Sequence, residues 1–151
     1  MLTRHRILLG LAIMLLVGGA ASCSGSAAPA ATQALAMAPM EQMLAAVQAA
    51  PARVQQAYQF AAANPDLLKH VACYCGCNQQ GHKSNYECYV ESQDAAGNLT
   101  LSPHALGCTI CADITQDAMR LRQAGQSTAA IRDYIDTTYA KYGPANRALV
   151  E

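Results

Sequence analysis

Tryptophan is absent from the chain, phenylalanine occurs once, and charged residues fill only 13% of the 151 positions, ten basic and ten acidic. Without an excess of positive charge there is no electrostatic footprint for a nucleic acid, whose binders carry a basic patch or an extreme pI. No glycine-rich phosphate loop, no Ser/His/Asp arrangement and no nucleophile elbow can be read along the sequence, and no internal repeat. Glu87, Glu91 and Asp94 read as a solvated edge, not as paired carboxylates for acid–base work. No apolar run reaches the ~20 residues that a membrane span requires. What the chain does have is cysteine: seven residues, six of them between Cys73 and Cys111. A chain of this length holds one small domain. That density of thiols excludes an ordinary enzyme built on a large hydrophobic core; disulfides or a thiolate-bound metal must help to hold the domain or carry its function.

The seventh cysteine belongs to a targeting segment. Arg4, His5 and Arg6 form a short positive region, Ile7 to Gly19 an apolar stretch of 13 residues, and Ala20-Ala21-Ser22 places small residues before Cys23. This reads as a secretion signal, residues 1–22, rather than a transmembrane helix. Small residues directly before a cysteine resemble a bacterial lipobox, although Ala20 stands where most lipoboxes carry leucine. The resemblance implies lipidation of Cys23 and attachment to a membrane by acyl chains alone, on the extracytoplasmic face of the cell envelope. Cleavage before Cys23 removes Arg4 and Arg6, so eight basic and ten acidic residues remain, a net charge of −2 that offers no electrostatic reason to bind anionic lipid or nucleic acid.

Residues 23–38 are rich in Ala, Ser, Gly and Pro and uncharged, the composition of a tether. The domain proper is expected over residues 39–151 as a mainly α fold, a small bundle of three to four helices around an irregular cysteine-rich loop. Pro39 suits a first helical turn, with Met40, Met43, Leu44 and Val47 as an apolar stripe. A second helix runs Pro51 to Ala63, and Asn64-Pro65-Asp66 signals a turn and a short helix through His70. Tyr86, Cys88 and Val90 alternate, as do Leu99 and Leu101, with Asp94 to Asn98 between them, the pattern of a small hairpin. Ile110, Ile114, Ala118 and Leu121 fit one helical face, with Gly125 as the residue after its C-cap. Ser127 is then an N-cap, followed by a face of Ile131, Tyr134, Ile135, Thr138 and Tyr142. These two helices form an antiparallel hairpin.

The cysteines fall as Cys73-Tyr-Cys75-Gly-Cys77, then Cys88, then Cys108-Thr-Ile-Cys111. Three readings are open. As disulfides, six thiols allow 15 connectivities. A bridge within Cys-x-Cys is strained, so each of Cys73, Cys75 and Cys77 would pair with Cys88, Cys108 or Cys111. As a metal site, alternating cysteines wrap several thiolates around one soft ion, and Gly76 permits the tight backbone. Cys108-x-x-Cys111 at a helix N-terminus, where the dipole lowers thiol pKa values, supplies a second knuckle. Such a set suits tetrahedral zinc or Cu(I). As a redox pair, Cys108 and Cys111 have the spacing of a thiol–disulfide exchanger, but no thioredoxin-like βαβ pattern surrounds them. His82, on a loop after the cysteine run, is a candidate additional ligand; for His104 and His70 packing or a helix-terminal role is the plainer reading, and Tyr74 and Tyr86 read as packing.

Taken in order, Ala57-Tyr58, Asn64-Pro65, Cys73-Tyr-Cys-Gly-Cys77, Gly81-His-Lys-Ser-Asn85, Cys88-Tyr-Val90, Cys108-x-x-Cys111, Gly125-Gln-Ser127 and Ile131-Arg-Asp-Tyr-Ile-Asp136 resemble the bacterial PCYCGC-motif lipoproteins over roughly residues 54–143, with Ala72 in place of the motif's proline. That family is largely uncharacterised, so the resemblance implies an envelope lipoprotein without fixing an activity. Residues 108–143 are also similar to the thiol domain of cytochrome c maturation proteins, which implies a three-helix bundle handling thiols; the other four domain cysteines have no counterpart there. The reading that joins these observations is a lipid-anchored protein binding Cu(I) or Zn through Cys73, Cys75, Cys77, Cys88, Cys108 and Cys111, with His82 as an extra ligand. It would sequester the ion or deliver it to or from a partner protein, with no enzyme activity of its own.

Overall fold

The computed structural model describes residues 33–146. The secretion signal, Cys23 and most of the expected tether lie outside them. The elements run in the order α1 (Ala45–Gln48), α2 (Ala52–Ala63), α3 (Pro65–Leu68), β1 (Val90–Gln93), β2 (Leu99–Leu101), α4 (Thr109–Gln123) and α5 (Thr128–Tyr139), with short 3-10 turns between them. The fold is mainly α, as the periodicity implied, and the cysteine-rich segment lies between α3 and α4. Among the described residues no helix is long and apolar enough to cross a membrane.

Helix α4 is the central element, packed against α2 on one side and α5 on the other. The core forms where they meet: Tyr58, Phe60 and Ala61 from α2, Ile114 and Ala118 from α4, and Ile131 and Ile135 from α5, all fully buried. The link between α4 and α5 is built as the sequence dictates. Gly125 takes φ +77°, and the Gly125 and Gln126 N–H groups return to the Arg122 and Leu121 carbonyls, closing a Schellman C-cap. Ser127 Oγ then accepts from the Ala130 N–H, capping α5. Only glycine occupies that left-handed position without strain, so the hairpin angle is set locally.

Three expectations need correction. The segment from Pro39 is not one helix: Met43 and Leu44 are extended, separating a 3-10 turn at Met40–Gln42 from α1. The break lets Met43 and Val47 both reach the core, and the Gln48 side-chain amide donates to the Met43 carbonyl exposed by it. The hairpin starts later than the alternation implied. Tyr86–Cys88 is a 3-10 turn that buries both Tyr86 and Cys88, and the strands pair from Val90↔Leu101 with an irregularity before Ser92↔Thr100. On α5 the buried aromatic is Tyr139, whereas Tyr134 and Tyr142 are exposed and sit against Arg120 and Lys141. Tyr139 completes the i, i+4, i+8 line of Ile131 and Ile135, and its hydroxyl donates to Asp117 of α4.

Residues 33–38, at the end of the expected tether, lie against the domain. The Ala38 N–H donates to the Gln59 carbonyl and the Gln59 side chain returns a bond to Ala38, while Leu35 and Met37 cover the core edge.

Because Ile135 has no exposed surface, Ile135→Ala should cost about 2–5 kcal/mol of folding stability. Chemical denaturation followed by helical circular dichroism should show the midpoint falling with the slope unchanged.

Candidate metal centre

Three pieces of backbone bring the six domain cysteines to the same small volume. Cys73, Cys75 and Cys77 lie on the irregular segment after α3, where Gly76 takes φ +84°. This left-handed residue turns the chain so that Cys75 and Cys77 both face inward, a conformation costly for any residue with a Cβ. Cys88 ends the Tyr86–Cys88 turn. Cys108 is the N-cap of α4, its Sγ accepting from the Cys111 N–H, and Cys111 lies in the first turn. The 3-10 turn His104–Gly107 immediately before it folds His104 back over the cluster.

Buried hydrogen bonds fix this irregular backbone where helices and strands do not. Asn146, from the C-terminal segment, clamps the first loop: its Oδ1 accepts from the Cys73 N–H at 2.6 Å, its own N–H donates to the Cys73 carbonyl, and its Nδ2 donates to Cys77 Sγ and the Ser84 carbonyl, both at 3.2 Å. Asn85 ties the second loop to α4. Its N–H donates to the Val71 carbonyl at 2.7 Å, and its Oδ1 accepts from Thr115 Oγ1 at 2.7 Å. Thr115 Oγ1 also shares a hydrogen bond with the Tyr89 hydroxyl at 2.7 Å. Asn85, Tyr89 and Thr115 are all fully buried, and a buried polar network of this kind holds only when its members are satisfied.

The sulfur geometry follows. Cys73 Sγ lies 3.4 Å from both Cys75 and Cys111, Cys75 lies 3.5 Å from Cys111, and Cys111 lies 3.0 Å from Cys108. Cys77 and Cys88 are 3.7 Å apart. Cys75 Sγ is 4.0 Å from His104 Nε2, and the His82 and His104 rings meet edge to face with centroids 4.9 Å apart. Two four-donor groups have all ligand atoms within 4.8 Å of one another: Cys75, His104, Cys108 and Cys111, and Cys77, His82, Cys88 and His104. Cys73 joins them, grouped with Cys75 and Cys77 and again with Cys88 and Cys111.

This donor set fits a soft metal ion. With Zn–S near 2.3 Å, a tetrahedral site has a sulfur–sulfur edge of about 3.8 Å, and the sulfurs here are already drawn close to that spacing. The pattern also differs from that of independent staples: Cys111 has three sulfur neighbours, and Cys73 and Cys75 two each. His82 Nδ1 is buried without a hydrogen-bond partner, an orphaned lone pair or N–H that a ligand would satisfy.

The thiols do not titrate alike. Hydrogen bonds from Cys108 and Cys111 hold Cys75 far below the usual thiol range, and the Cys111 contact brings Cys73 down to about 4. Cys111, facing Cys108 and Cys73, is pushed up, as are Cys88, facing Cys111 and Cys73, and Cys77, facing Cys73 and Cys75. Negative charge is therefore favoured first at Cys75, while Cys111, Cys88 and Cys77 keep protons to donate. Without an ion, like charges packed this closely cannot all form.

All six domain cysteines and His82, named from the sequence, come together in this way. His104 also belongs to the cluster, against the expectation of plain packing; its signal was its place four residues before Cys108, which the 3-10 turn converts into proximity. His70 is exposed and joins no donor group. Asn146 and the Asn85–Tyr89–Thr115 network had no local signal. Cys23 lies outside the described residues.

Comparison with known proteins gives one match: residues 26–148 fit a family described as a protein of unknown function with PCYCGC motif. No curated protein and no solved structure matches. The similarity to cytochrome c maturation proteins is therefore without support from these comparisons.

Two outcomes are expected. In the reduced, metal-free protein at pH 6, iodoacetamide should label Cys75 ahead of the other domain cysteines, because a depressed pKa keeps a thiolate there well below pH 8.5 and Cys75 is only half-buried; peptide mapping by mass spectrometry reads the order. Asn146→Ala leaves the Cys73 N–H without its acceptor and should cost about 1–3 kcal/mol in a denaturation midpoint.

Proposed function

We propose that this chain, which belongs to the PCYCGC-motif family, is a binding protein for a soft metal ion, Cu(I) or Zn, held by Cys73, Cys75, Cys77, Cys88, Cys108 and Cys111 with imidazole from His82 and His104. The observation that carries this is the shared sulfur neighbourhood. Three cysteines, Cys73, Cys75 and Cys111, lie mutually within 3.5 Å, an arrangement that paired disulfides do not need and a shared metal centre does. Thiolates select Cu(I) and Zn over hard cations, and imidazole is compatible with both. The ion supplies only positive charge to the cluster; the chain's own residues position the donors and give up their protons as it enters.

The role is that of a carrier, not a catalyst: sequestration, or exchange with a metal-donor or metal-acceptor protein. Cys75, His104 and Cys108 are half-buried while Cys73, Cys77, Cys88 and Cys111 are buried, so one edge of the cluster is open to a partner's ligands. Lipidation at Cys23 would hold the domain to the extracytoplasmic face of the membrane, with no part for nucleic acid.

A second reading rests on one specific feature. Cys108 and Cys111 are the nearest sulfur pair, 3.0 Å apart at the N-terminus of a 15-residue helix, the setting of a thiol–disulfide exchanger.

The full chain carrying Cys23→Ser, purified from an oxidising compartment, separates the two readings. Bound metal near stoichiometric amounts, with most of the six thiols shielded from a thiol reagent until a chelator is added, is the expected result. Absence of both metal and free thiols, persisting after reduction and exposure to Cu(I) and Zn(II), sinks the binding reading. Cys108→Ser should weaken metal binding but leave some; in an exchanger it abolishes exchange entirely.

A further inference from the structure

We infer that the centre holds two four-coordinate ions, not one, each in a site of three cysteines and one histidine. This rests on the binding reading above and specifies its stoichiometry and geometry. The domain brings eight soft or borderline donors together, and two tetrahedral ions need eight positions. Cys75, Cys108, Cys111 and His104 fit a first ion, all four ligand atoms lying within 4.8 Å of one another. The other four-donor group contains Cys77, Cys88 and His82 and would share His104. A single nitrogen cannot complete two tetrahedra. Cys73 resolves the conflict, because its Sγ lies within 4.8 Å of Cys77 Sγ and of Cys88 Sγ. The second ion is therefore held by Cys73, Cys77, Cys88 and His82.

Two independent features agree with a second ion. His82 Nδ1 is buried and unpartnered; in a one-ion site centred on Cys108 and Cys111 it stays so, whereas the second site uses this imidazole. The sulfurs of Cys77 and Cys88 lie 3.7 Å from each other, each within 4.8 Å of Cys73 Sγ, and Asn146 donates to Cys77 Sγ at 3.2 Å. A hydrogen bond to a ligating thiolate is a usual outer support of such sites. Three cysteines and one histidine make a recognised zinc donor set. Each ion displaces to solvent the protons that its thiols still hold, so binding is opposed by acid.

The two sites differ in access. The first presents half-buried Cys75, Cys108 and His104, and the second is built from buried Cys73, Cys77 and Cys88 with half-buried His82. The first ion is the exchangeable one and the second the retained one.

The test uses the full chain with Cys23→Ser, reduced and handled without oxygen, titrated with Zn(II) and with Co(II). Native mass spectrometry should find two Zn(II) per chain, and the sulfur-to-Co(II) charge-transfer band should rise to two equivalents. A chelator should then remove zinc in two phases of similar amplitude. His104→Ala should alter the fast phase alone, and His82→Ala the slow phase alone, with helical circular dichroism confirming that both variants fold. Saturation at one ion overturns the two-ion assignment, as does a Cys77–Cys88 disulfide that persists with one ion bound, while leaving the binding function standing. Two ions lost in a single phase that both variants affect equally overturns the division of ligands. Failure to bind Zn(II), Co(II) or Cu(I) at all removes the binding function itself.

Discussion

Everything in this domain is arranged around the cost of placing six sulfurs and two imidazoles in one pocket of a small core. Sulfurs 3.0–3.7 Å apart are in van der Waals contact and can share protons, but they cannot all carry charge. The chain meets this constraint by fixing the backbone around them with side-chain amides. Asn146 holds both the Cys73 backbone and Cys77 Sγ from the far end of the chain, and Asn85 joins the second loop to Thr115 of α4. Each bond would be modest at the surface. In a buried setting, losing one partner leaves an unsatisfied group, so the two asparagines act as fasteners for a segment with almost no regular structure of its own.

The helices exist, in this sense, to provide a wall. Helix α4 does two jobs with one N-terminal turn: Cys108 caps it in place of the usual serine or aspartate, and Cys111 points back into the cluster. A sulfur is a weak acceptor, so the cap contributes little to the helix. Its stability comes instead from packing against α2 and α5, where Ile114, Ala118, Ile131 and Ile135 are fully buried. Function at the N-terminus is supported by hydrophobic packing further along.

The bundle was legible where local physics decides it. The Gly125–Ser127 link was readable because a left-handed cap and a hydroxyl N-cap are both local devices, and the structure has both. The apolar stripe from Pro39 misled because periodicity does not register the extended step at Met43 and Leu44, which tertiary burial of Met43 and Val47 rewards. The alternation at Tyr86, Cys88 and Val90 misled for a similar reason, since a 3-10 turn can bury residues two apart as a strand does. For the site, cysteine spacing named every thiol because Cys-x-Cys and Cys-x-x-Cys carry their chemistry in short range. His104 needed the turn before α4, and Asn146 needed the chain to return over 73 residues. No pattern within a window of sequence contains such a contact.

The order of the donors along the chain bears on how the centre divides. Cys75, Cys108 and Cys111 come from two segments that meet at the open N-terminus of α4. Cys77 and Cys88 come from consecutive short turns, and Asn146 donates to Cys77 Sγ. Cys73, within 4.8 Å of sulfurs in both groups, is the hinge between them. If the cluster served stability alone, the deep pair closing an 11-residue interval would suffice, and the half-buried edge of Cys75, His104 and Cys108 would serve no purpose. The proposed exchange of an ion calls for the opposite: one set of donors reachable by incoming ligands, and a second that keeps the loops folded while the first is empty. The gradient of burial across the eight donors supplies that asymmetry within a single small domain.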